Sequence, residues 1–285
     1  TKRMDPLSQG TVGAAFAQSV ANKNNIFKIG IIGFIAGLAP DLDVFIQSSN
    51  DPILSLEYHR QFSHSLVFIP IGSLIVALLI FPWVKKAMSF KLVYLVSFLG
   101  YATHGLLDAC TSYGTLLLWP FSYERITWNN ISIVDPIFTI PTLIFVICAL
   151  MTKRKKFSFF AIGWILFYLI FGLVQYERTL SAAKDLASSR GHSAERLTLK
   201  PSFGNLILWK SIYKHEENFY VDAIRTVQSS HWCSGESTRA FSYKQHLPKL
   251  NKDSQQAKDI ERFRWFSQDY LGYQKEKKLV TDIRY

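Results

Sequence analysis

Uncharged hydrophobic runs dominate the first 175 positions of the chain. The clearest run covers residues 65–84, twenty residues without a charge. A helix of that length rises about 30 Å, which matches the hydrocarbon core of a bilayer. Further runs that predict transmembrane helices cover residues 92–109, 137–151 and 157–175. Two shorter runs, residues 10–21 and 26–39, predict either thin spans or a re-entrant helical pair. The pattern therefore predicts a mainly α fold, a polytopic helical membrane bundle.

The chain beyond residue 175 is more polar. It holds 13 of the 21 Asp and Glu residues, whereas residues 1–175 hold 8. Apolar and β-branched residues at positions 206–213 and 219–227 flank a polar turn, which predicts a hairpin. Helical spacing from about residue 253 predicts a helix, and residues 278–285 a last strand. We therefore predict a membrane-embedded helical domain over residues 1–175 and a small extramembrane α+β domain over residues 176–285.

Basic loops predict the orientation of the spans. The densest basic runs, residues 85–86 and 153–156, lie between predicted spans, where the positive-inside rule places cytoplasmic charge. The net charge of +11 then has a topological cause, and we expect no nucleic-acid partner. With both runs inside, the polar motifs described next fall on the outer side, as does the C-terminal domain. In a bacterium this predicts an inner-membrane protein with those motifs on the periplasmic side.

Two of these motifs flank the ends of apolar runs. Asp41 and Asp43 follow an apolar helix directly after Pro40, which ends the helix and exposes both carboxylates. His59 and His64 precede the clearest span, so both imidazoles lie at the membrane edge. A polar turn with a capping aspartate and a pair of interfacial histidines are the alternative interpretations. Carboxylates and imidazoles at one membrane face also suit a metal ion.

A third motif lies within a predicted span. His104 and Asp108 are four residues apart, so their side chains share one face of the helix. Ionisable groups inside a membrane helix are unfavourable and are candidates for a functional site, although a structural hydrogen bond between the two remains an alternative. Residues 1–175 contain three histidines, and all three fall in these motifs. The six candidate metal ligands are Asp41, Asp43, His59, His64, His104 and Asp108. They suit one metal ion or two that share carboxylates. Zinc is the metal expected first, and manganese and iron accept the same donors.

Polar and aromatic loop segments at positions 111–115, 119–121 and 133–136 predict the walls of this site. Arg60, Glu124 and Arg125 are the charged residues nearby, and arginine forks neutralise anions such as phosphate. The alternative is an interfacial aromatic belt with solvated charges. We expect Arg60 and Arg125 to steady charge that develops on a substrate.

These motifs occur in an order that resembles a known family. They are residues 4–10 (MDPLSQG), 40–43 (PDLD), 59–60 (HR) with 62–65 (FSHS), 104 (H) with 107–108 (LD), 111–115 (TSYGT), 119–121 (WPF) and 135–136 (DP). The chain resembles the bacterial membrane-bound metal-dependent hydrolases, which include the LexA-regulated inner-membrane hydrolases. The resemblance implies that the six Asp and His residues bind metal. It departs at Gln9, where many relatives have histidine, so Gln9 is expected to hydrogen-bond water or substrate.

The resemblance also implies a reaction. The family is distantly similar to zinc-dependent phospholipase C and related nucleases, which implies hydrolysis of a phosphoester. A divalent metal ion would activate water and polarise a phosphoryl oxygen, with Asp41 or Asp43 as the general base. A site at the outer bilayer surface favours a membrane lipid or lipid-linked substrate, which can enter sideways from the leaflet.

A non-enzymatic membrane protein is the alternative. A metal transporter or a structural assembly factor would use the same ligands. A transport site lies near the midplane of the bilayer with polar residues on both sides of it. The inner halves of the predicted spans are uniformly apolar, so the pattern favours the hydrolase.

Overall fold

The computed structural model describes residues 5–285, so Met4 of the N-terminal motif lies outside the described residues. The chain divides into two compact units. The first holds the chain up to Gln47, Tyr58–Leu173 and Phe203–Asn205. The second holds Ser48–Glu57, Val174–Ser202 and Leu206–Tyr285. A short segment of the N-terminal half thus belongs to the second unit.

Helices make up most of the first 189 residues. They are α1 (Pro6–Gln18), α2 (Ile26–Leu38), α3 (Leu54–Tyr58), α4 (Ile69–Val84), α5 (Phe90–Ala109), α6 (Pro136–Thr152) and α7 (Lys156–Ser189). Short 3-10 helices cover Ala39–Phe45, Phe62–His64 and Leu66–Phe68. Among the described residues, Leu66–Val84, Phe90–Ala109 and Lys156–Ser189 are long and apolar enough to cross a membrane, and α6 is a shorter apolar helix. The predicted helical membrane bundle is confirmed, although α7 continues 14 residues beyond the predicted end of its span at residue 175.

Side-chain caps explain where several helices begin. Asp5 accepts a hydrogen bond from the backbone N–H of Leu7 at the start of α1, and Ser89 accepts one from Leu92 at the start of α5. Asp135 accepts hydrogen bonds from two backbone N–H groups of α6 and one from the Tyr168 hydroxyl, 2.8 Å away. Such caps satisfy N–H groups that have no partner inside the helix. Asp135, predicted in a site wall, therefore has a structural role here.

Small residues allow α1, α2 and α5 to pack closely. A Cβ atom on Gly33 would overlap Ala17 and lie 2.6 Å from the carbonyl oxygen of Gly13. A Cβ atom on Gly100 would lie 2.5 Å from the carbonyl oxygen of Gly33. Membrane helices use small residues in this way to bring their backbones together. The close packing carries polar groups of α1 and α2 to the end of α5, where His104 and Asp108 lie.

The second unit contains an antiparallel sheet. Its strands are β1 (Glu195–Pro201), β2 (Leu208–His215), β3 (Asn218–Thr226), β4 (Ser230–Cys233) and β5 (Ser237–Arg239), in the order β1-β2-β3-β4 with β5 also paired to β3. Two short helices, α8 (Tyr243–His246) and α9 (Gln255–Phe266), and a two-stranded sheet of β6 (Leu271–Gln274) and β7 (Leu279–Asp282) follow. His215 pairs with Asn218, so β2 and β3 form the predicted hairpin. The predicted small α+β domain is confirmed, with a shorter last strand than predicted.

Arg262 of α9 anchors the segment Ser48–Glu57 within the second unit. Its Nη1 and Nη2 atoms lie 2.9 and 3.0 Å from the two carboxylate oxygens of Asp51. Its Nε and Nη2 atoms also donate to Glu57 Oε2, at 3.0 and 2.7 Å. Paired bonds of this kind have a defined geometry as well as charge. In sequence, the anchored segment lies between Asp43 and His59.

Replacing Arg262 with glutamine is expected to loosen this segment. The two carboxylates lose their shared cation, so the amides of residues 48–57 should exchange faster with deuterium in hydrogen-exchange mass spectrometry. Lys258→Gln, which removes an exposed charge from the same helix, is the control and should leave their exchange unchanged. Equal exchange in the wild type and the Arg262 variant would contradict the anchoring role.

Candidate metal centre

Four of the predicted ligands lie together at the end of α5. Asp41 comes from the 3-10 helix Ala39–Phe45 and His64 from the 3-10 helix Phe62–His64, while His104 and Asp108 belong to α5. Each residue offers one ligand atom, and these four atoms lie within 4.8 Å of one another. Apart from Asp41, whose side chain is 15% exposed, these side chains are almost completely buried.

The spacing of the four ligand atoms is regular. The Nε2 atoms of His64 and His104 are 3.0 Å apart. Asp41 Oδ1 lies 3.5 Å from the first of these nitrogens and 3.4 Å from the second. Asp108 Oδ2 lies 3.3 Å from His64 Nε2 and 3.7 Å from His104 Nε2.

These distances fit a tetrahedral metal site. Two ligand atoms that are each about 2.0–2.2 Å from one zinc ion, at the tetrahedral angle, are roughly 3.3–3.6 Å apart. The five observed separations run from 3.0 to 3.7 Å. Two imidazole nitrogens and two carboxylate oxygens are donors that zinc accepts, and manganese and iron accept them as well. The cluster could therefore hold a metal ion, and its donor set does not identify which one.

The outer nitrogens of both imidazoles have partners that set the ring orientation. Nδ1 of His104 donates to the carbonyl oxygen of Gly37, 2.5 Å away. Nδ1 of His64 lies 3.2 Å from Asp43 Oδ2 and 3.0 Å from the Ser63 hydroxyl oxygen. A carbonyl oxygen can only accept, so the proton of neutral His104 is on Nδ1, which leaves the Nε2 lone pair facing the cluster. Metal-bound histidines are commonly oriented in this way.

Asp43 is not one of the four clustered residues, and its carboxylate interacts with other groups. Its Oδ2 atom accepts a hydrogen bond from the backbone N–H of Arg60 at 3.0 Å and one from the Ser63 hydroxyl at 2.8 Å. Its Oδ1 atom lies 2.8 Å from Nδ1 of His59. The carboxylate thus connects the segments that carry His59 and His64.

His59 belongs to a second possible ligand group. Ligand atoms of Asp41, Asp43 and His59 lie within 4.8 Å of one another, so the two groups share Asp41. His59 is buried, and its Nε2 atom has no hydrogen-bond partner among the described residues. The binding of two metal ions that share the Asp41 carboxylate therefore stays a prediction.

The two predicted arginines contact protein groups. The Nε atom of buried Arg60 lies 3.0 Å from Asp108 Oδ2, and its Nη1 donates to the Thr111 hydroxyl at 3.1 Å. The buried Arg125 donates from Nη2 to the carbonyl oxygen of Gly114 at 2.9 Å. Arg60 therefore balances the charge of Asp108, and Arg125 holds the backbone at Gly114, in a segment predicted to line the site. Their predicted contact with a substrate stays a prediction.

Gln9, which the resemblance implies to contact water or substrate, hydrogen-bonds a candidate ligand instead. Its Nε2 atom donates to Asp108 Oδ1 at 2.8 Å. The amide thus occupies one carboxylate oxygen of Asp108 and leaves Oδ2 directed at the two histidines. Gln9 lies in an apolar helix 99 positions from Asp108, and the contact forms only because α1 packs against α5. No local sequence pattern indicates it.

Charge and burial compete at the groups that lie before the first candidate span. Burial alone would raise the pKa of Asp41, but the neighbouring His104 and His64 side chains outweigh it and hold that pKa far below its ordinary value. Asp43 has a lowered pKa as well, because His59 and His64 outweigh the effect of its burial. Burial would lower the pKa of His64, but the surrounding carboxylates raise it to about 10. The carboxylates therefore favour positive charge in the cluster, either as a proton on His64 or as a bound cation.

The region that contains this cluster matches a known family. Comparison with models of protein families matches residues 4–179 to the family described as YdjM inner membrane protein. The chain belongs to the YdjM family. With its three candidate spans, this YdjM family member is a membrane protein. No curated protein and no solved structure matches the chain.

The YdjM match includes all six predicted ligands and both predicted arginines, because it extends from residue 4 to residue 179. It ends before the first strand of the second unit, Glu195–Pro201. The family therefore covers the membrane helices with their cluster, and the sheet lies outside the matched region.

Gly105 is expected to be essential for the geometry of this YdjM cluster. A Cβ atom at this position would overlap the backbone carbonyl oxygen of His64. Gly105→Ala should therefore displace His64 from His104, destabilise the fold by about 1–3 kcal/mol as overpacking does, and weaken metal binding measured by titration.

Gly163→Ala in α7 is the matched control, because a Cβ atom there meets no atom within 4 Å. That variant should bind metal as the wild type does, and removing a helical glycine should leave its stability equal or higher by about 1 kcal/mol. If both alanine variants bound metal equally, the close approach of Gly105 to His64 would not matter for the site.

Proposed function

We propose that this protein is a membrane-bound metal-dependent hydrolase that acts on a phosphoester in a lipid or lipid-linked substrate. The observation that carries the proposal is the cluster of two imidazoles and two carboxylates with near-tetrahedral spacing at the end of a candidate span. The resemblance to metal-dependent hydrolases supports the reaction class. The apolar surroundings support a substrate that comes from the membrane.

The four clustered residues differ in burial, and we assign their roles on that basis. His64, His104 and Asp108 are at most 2% exposed, so we assign them to holding the metal. The Asp41 side chain is 15% exposed and is therefore the member that water or a substrate can approach. Catalytic zinc sites have three protein ligands and an open position, whereas structural sites have four protein ligands. In a catalytic site water would take the fourth position instead of Asp41, and the Asp41 carboxylate beside it would act as the general base.

The remaining groups keep this arrangement in place. When bound, a divalent metal ion supplies the Lewis acidity that makes water nucleophilic near neutral pH and polarises a phosphoryl oxygen. Asp43 orients His64 through Nδ1 and thereby directs Nε2 into the cluster. Arg60 offsets the negative charge of Asp108, which would otherwise be buried without a counter-ion apart from the metal. Asp41 would take up the proton that water loses on attack, because it is the only member of the cluster with a side chain open to solvent.

The proposed location of the reaction is the periplasmic side of the inner membrane. The basic runs at residues 85–86 and 153–156 support this orientation through the positive-inside rule. A cysteine introduced at the exposed Phe121, in a variant whose Cys110, Cys148 and Cys233 are replaced by serine, should react with a membrane-impermeant maleimide in intact spheroplasts. Labelling only after lysis would show that position 121 lies on the cytoplasmic side, opposite to the proposed orientation.

A non-enzymatic role is the second candidate, and the cluster itself favours it in one respect. Four protein ligands around one ion are typical of a structural metal site. In that case Asp41 would remain bound to the metal, and the ion would stabilise the end of the helical bundle. Metal transport has less support, since the cluster lies at the end of α5.

The test is hydrolysis by purified protein in lipid nanodiscs. The protein is stripped of metal, reloaded separately with zinc, manganese or iron, and incubated with a panel of lipid phosphoesters and one water-soluble aryl phosphoester. We expect near-stoichiometric metal by mass spectrometry and hydrolysis that depends on the reloaded ion, measured as the phosphomonoester released from a diester or the inorganic phosphate released from a monoester. Stoichiometric metal without turnover on any substrate would favour the structural role, and wild type that binds no metal would exclude the site.

A further inference from the structure

An apolar groove lies beside the candidate metal centre within the first unit. It has a volume of about 260 Å³. Residues that line it include Leu42, Ile46, Phe62, Val76, Leu79 and Tyr101. They come from the 3-10 helix that carries Asp41, the segment after it, the 3-10 helix that carries His64, and helices α4 and α5.

One wall of the groove belongs to a surface that faces lipid. Ile75 and Leu79 line the groove from α4, and they are 48% and 62% exposed. Both lie in Leu66–Val84, the candidate span with the highest mean hydropathy, 2.5. The exposed side of such a span contacts hydrocarbon rather than water. The groove is therefore open to the bilayer interior.

Two polar residues also line the groove. They are Asp43 and Ser63, the two groups next to Nδ1 of His64. The Tyr101 hydroxyl donates to the carbonyl oxygen of Ser63 at 2.8 Å, which holds Ser63 in place. A single continuous cavity thus connects a lipid-facing helix surface with residues that orient a candidate metal ligand.

We propose that the groove binds one hydrocarbon chain of the lipid substrate and thereby places its phosphoester beside the segment that carries Asp41, because Pro40, Leu42 and Asp43 line the groove. The inference rests on the proposed hydrolase function and specifies the substrate class as a lipid with a long unbranched or prenyl-type chain. Pockets for whole drug-sized ligands measure about 300–1,000 Å³. A groove of about 260 Å³ accommodates part of one chain, so the headgroup remains outside it. Chain length should consequently affect KM more than it affects the chemical step.

Photo-crosslinking tests the groove without requiring turnover. Wild-type protein in nanodiscs is irradiated with a phospholipid that carries a diazirine near the headgroup end of one acyl chain, and adducts are mapped by mass spectrometry. We expect adducts concentrated at Phe62 and Val76. Leu79→Trp should fill the mouth of the groove and reduce those adducts several-fold. Leu78→Trp is the matched control, because Leu78 is also exposed on α4, at 56%, but does not line the groove.

Kinetics separate the failure of this inference from the failure of the hydrolase proposal. Leu79→Trp should raise KM for a long-chain phosphoester by about tenfold, as loss of a few buried methylenes does, and leave the water-soluble phosphoester unaffected. Groove adducts without any turnover would support the binding site and overturn the hydrolase. Turnover with adducts spread evenly over α4, and no effect of Leu79→Trp, would overturn the groove and leave the hydrolase standing.

Discussion

His104→Ala is expected to abolish stoichiometric metal binding while the protein still folds. The substitution removes one of two imidazole nitrogens from the cluster, and Nε2 of His104 lies within 3.7 Å of each of the other three ligand atoms. Even partners that only orient ligands change metal affinity by about 10–100-fold when mutated, so the loss of a ligand should exceed that. The measurement is metal content after gel filtration, together with the thermal unfolding midpoint with and without added metal.

The unfolding midpoint gives this experiment a second readout. An ion that binds the folded state at a thousandfold excess over its Kd stabilises it by about 4 kcal/mol. Wild type should therefore melt at a higher temperature when metal is added, and His104→Ala should not. Leu106→Ala, a truncation at an exposed position of the same helix, should behave as the wild type does. A His104 variant that keeps full metal content would remove this residue from the ligand set.

His104 is a better choice than Asp108 for this test. Asp108 is the ion-pair partner of the buried Arg60 guanidinium, at 3.0 Å. Removing one partner of a buried pair leaves an uncompensated charge and destabilises proteins by about 3–5 kcal/mol. In an Asp108 variant, a loss of bound metal could thus not be distinguished from unfolding of the protein. The His104 imidazole has a carbonyl group as its outer partner, and His64 stays beside Asp41 and Asp108, so its removal leaves neither carboxylate without a partner.

Asp41→Asn is expected to separate metal binding from catalysis. The amide has the shape of the carboxylate and keeps an oxygen donor, but it cannot take up a proton. If Asp41 is the general base, metal should remain bound while turnover falls by about 10²–10⁴-fold, the usual contribution of such a group. Metal content and phosphate release are measured on the same preparation, in the nanodisc assay described for the proposed function.

An aspartate remote from the cluster provides the comparison for this variant. Asp185 is exposed on α7, and Asp185→Asn should change neither metal content nor turnover. Asp41→Asn with undiminished turnover would show that another group accepts the proton. Parallel loss of metal and turnover would instead make Asp41 a necessary ligand, as the structural-site alternative requires.

Sequence patterns by themselves determined the class of protein and a set of candidate ligands. Charge-free runs of transmembrane length predict the membrane helices because a hydrocarbon core imposes both the length and the lack of charge. The i, i+4 spacing of His104 and Asp108 places them on one helical face for geometric reasons. Strand propensity and a polar turn likewise predict the hairpin of β2 and β3. These features depend on short stretches of chain, so a local pattern reveals them.

The tertiary structure decided how the polar residues divide their roles. Sequence treats Asp41 and Asp43 alike, but backbone geometry aims Asp41 at two Nε2 atoms and gives Asp43 the outer nitrogens of His59 and His64. Arg60 pairs with Asp108 and Gln9 donates to it across 48 and 99 positions of chain. Such contacts arise when helices pack at their small residues, and no local pattern encodes which distant side chain arrives. The chain's local chemistry therefore specifies a set of possible ligands, and helix packing selects four of them and their partners.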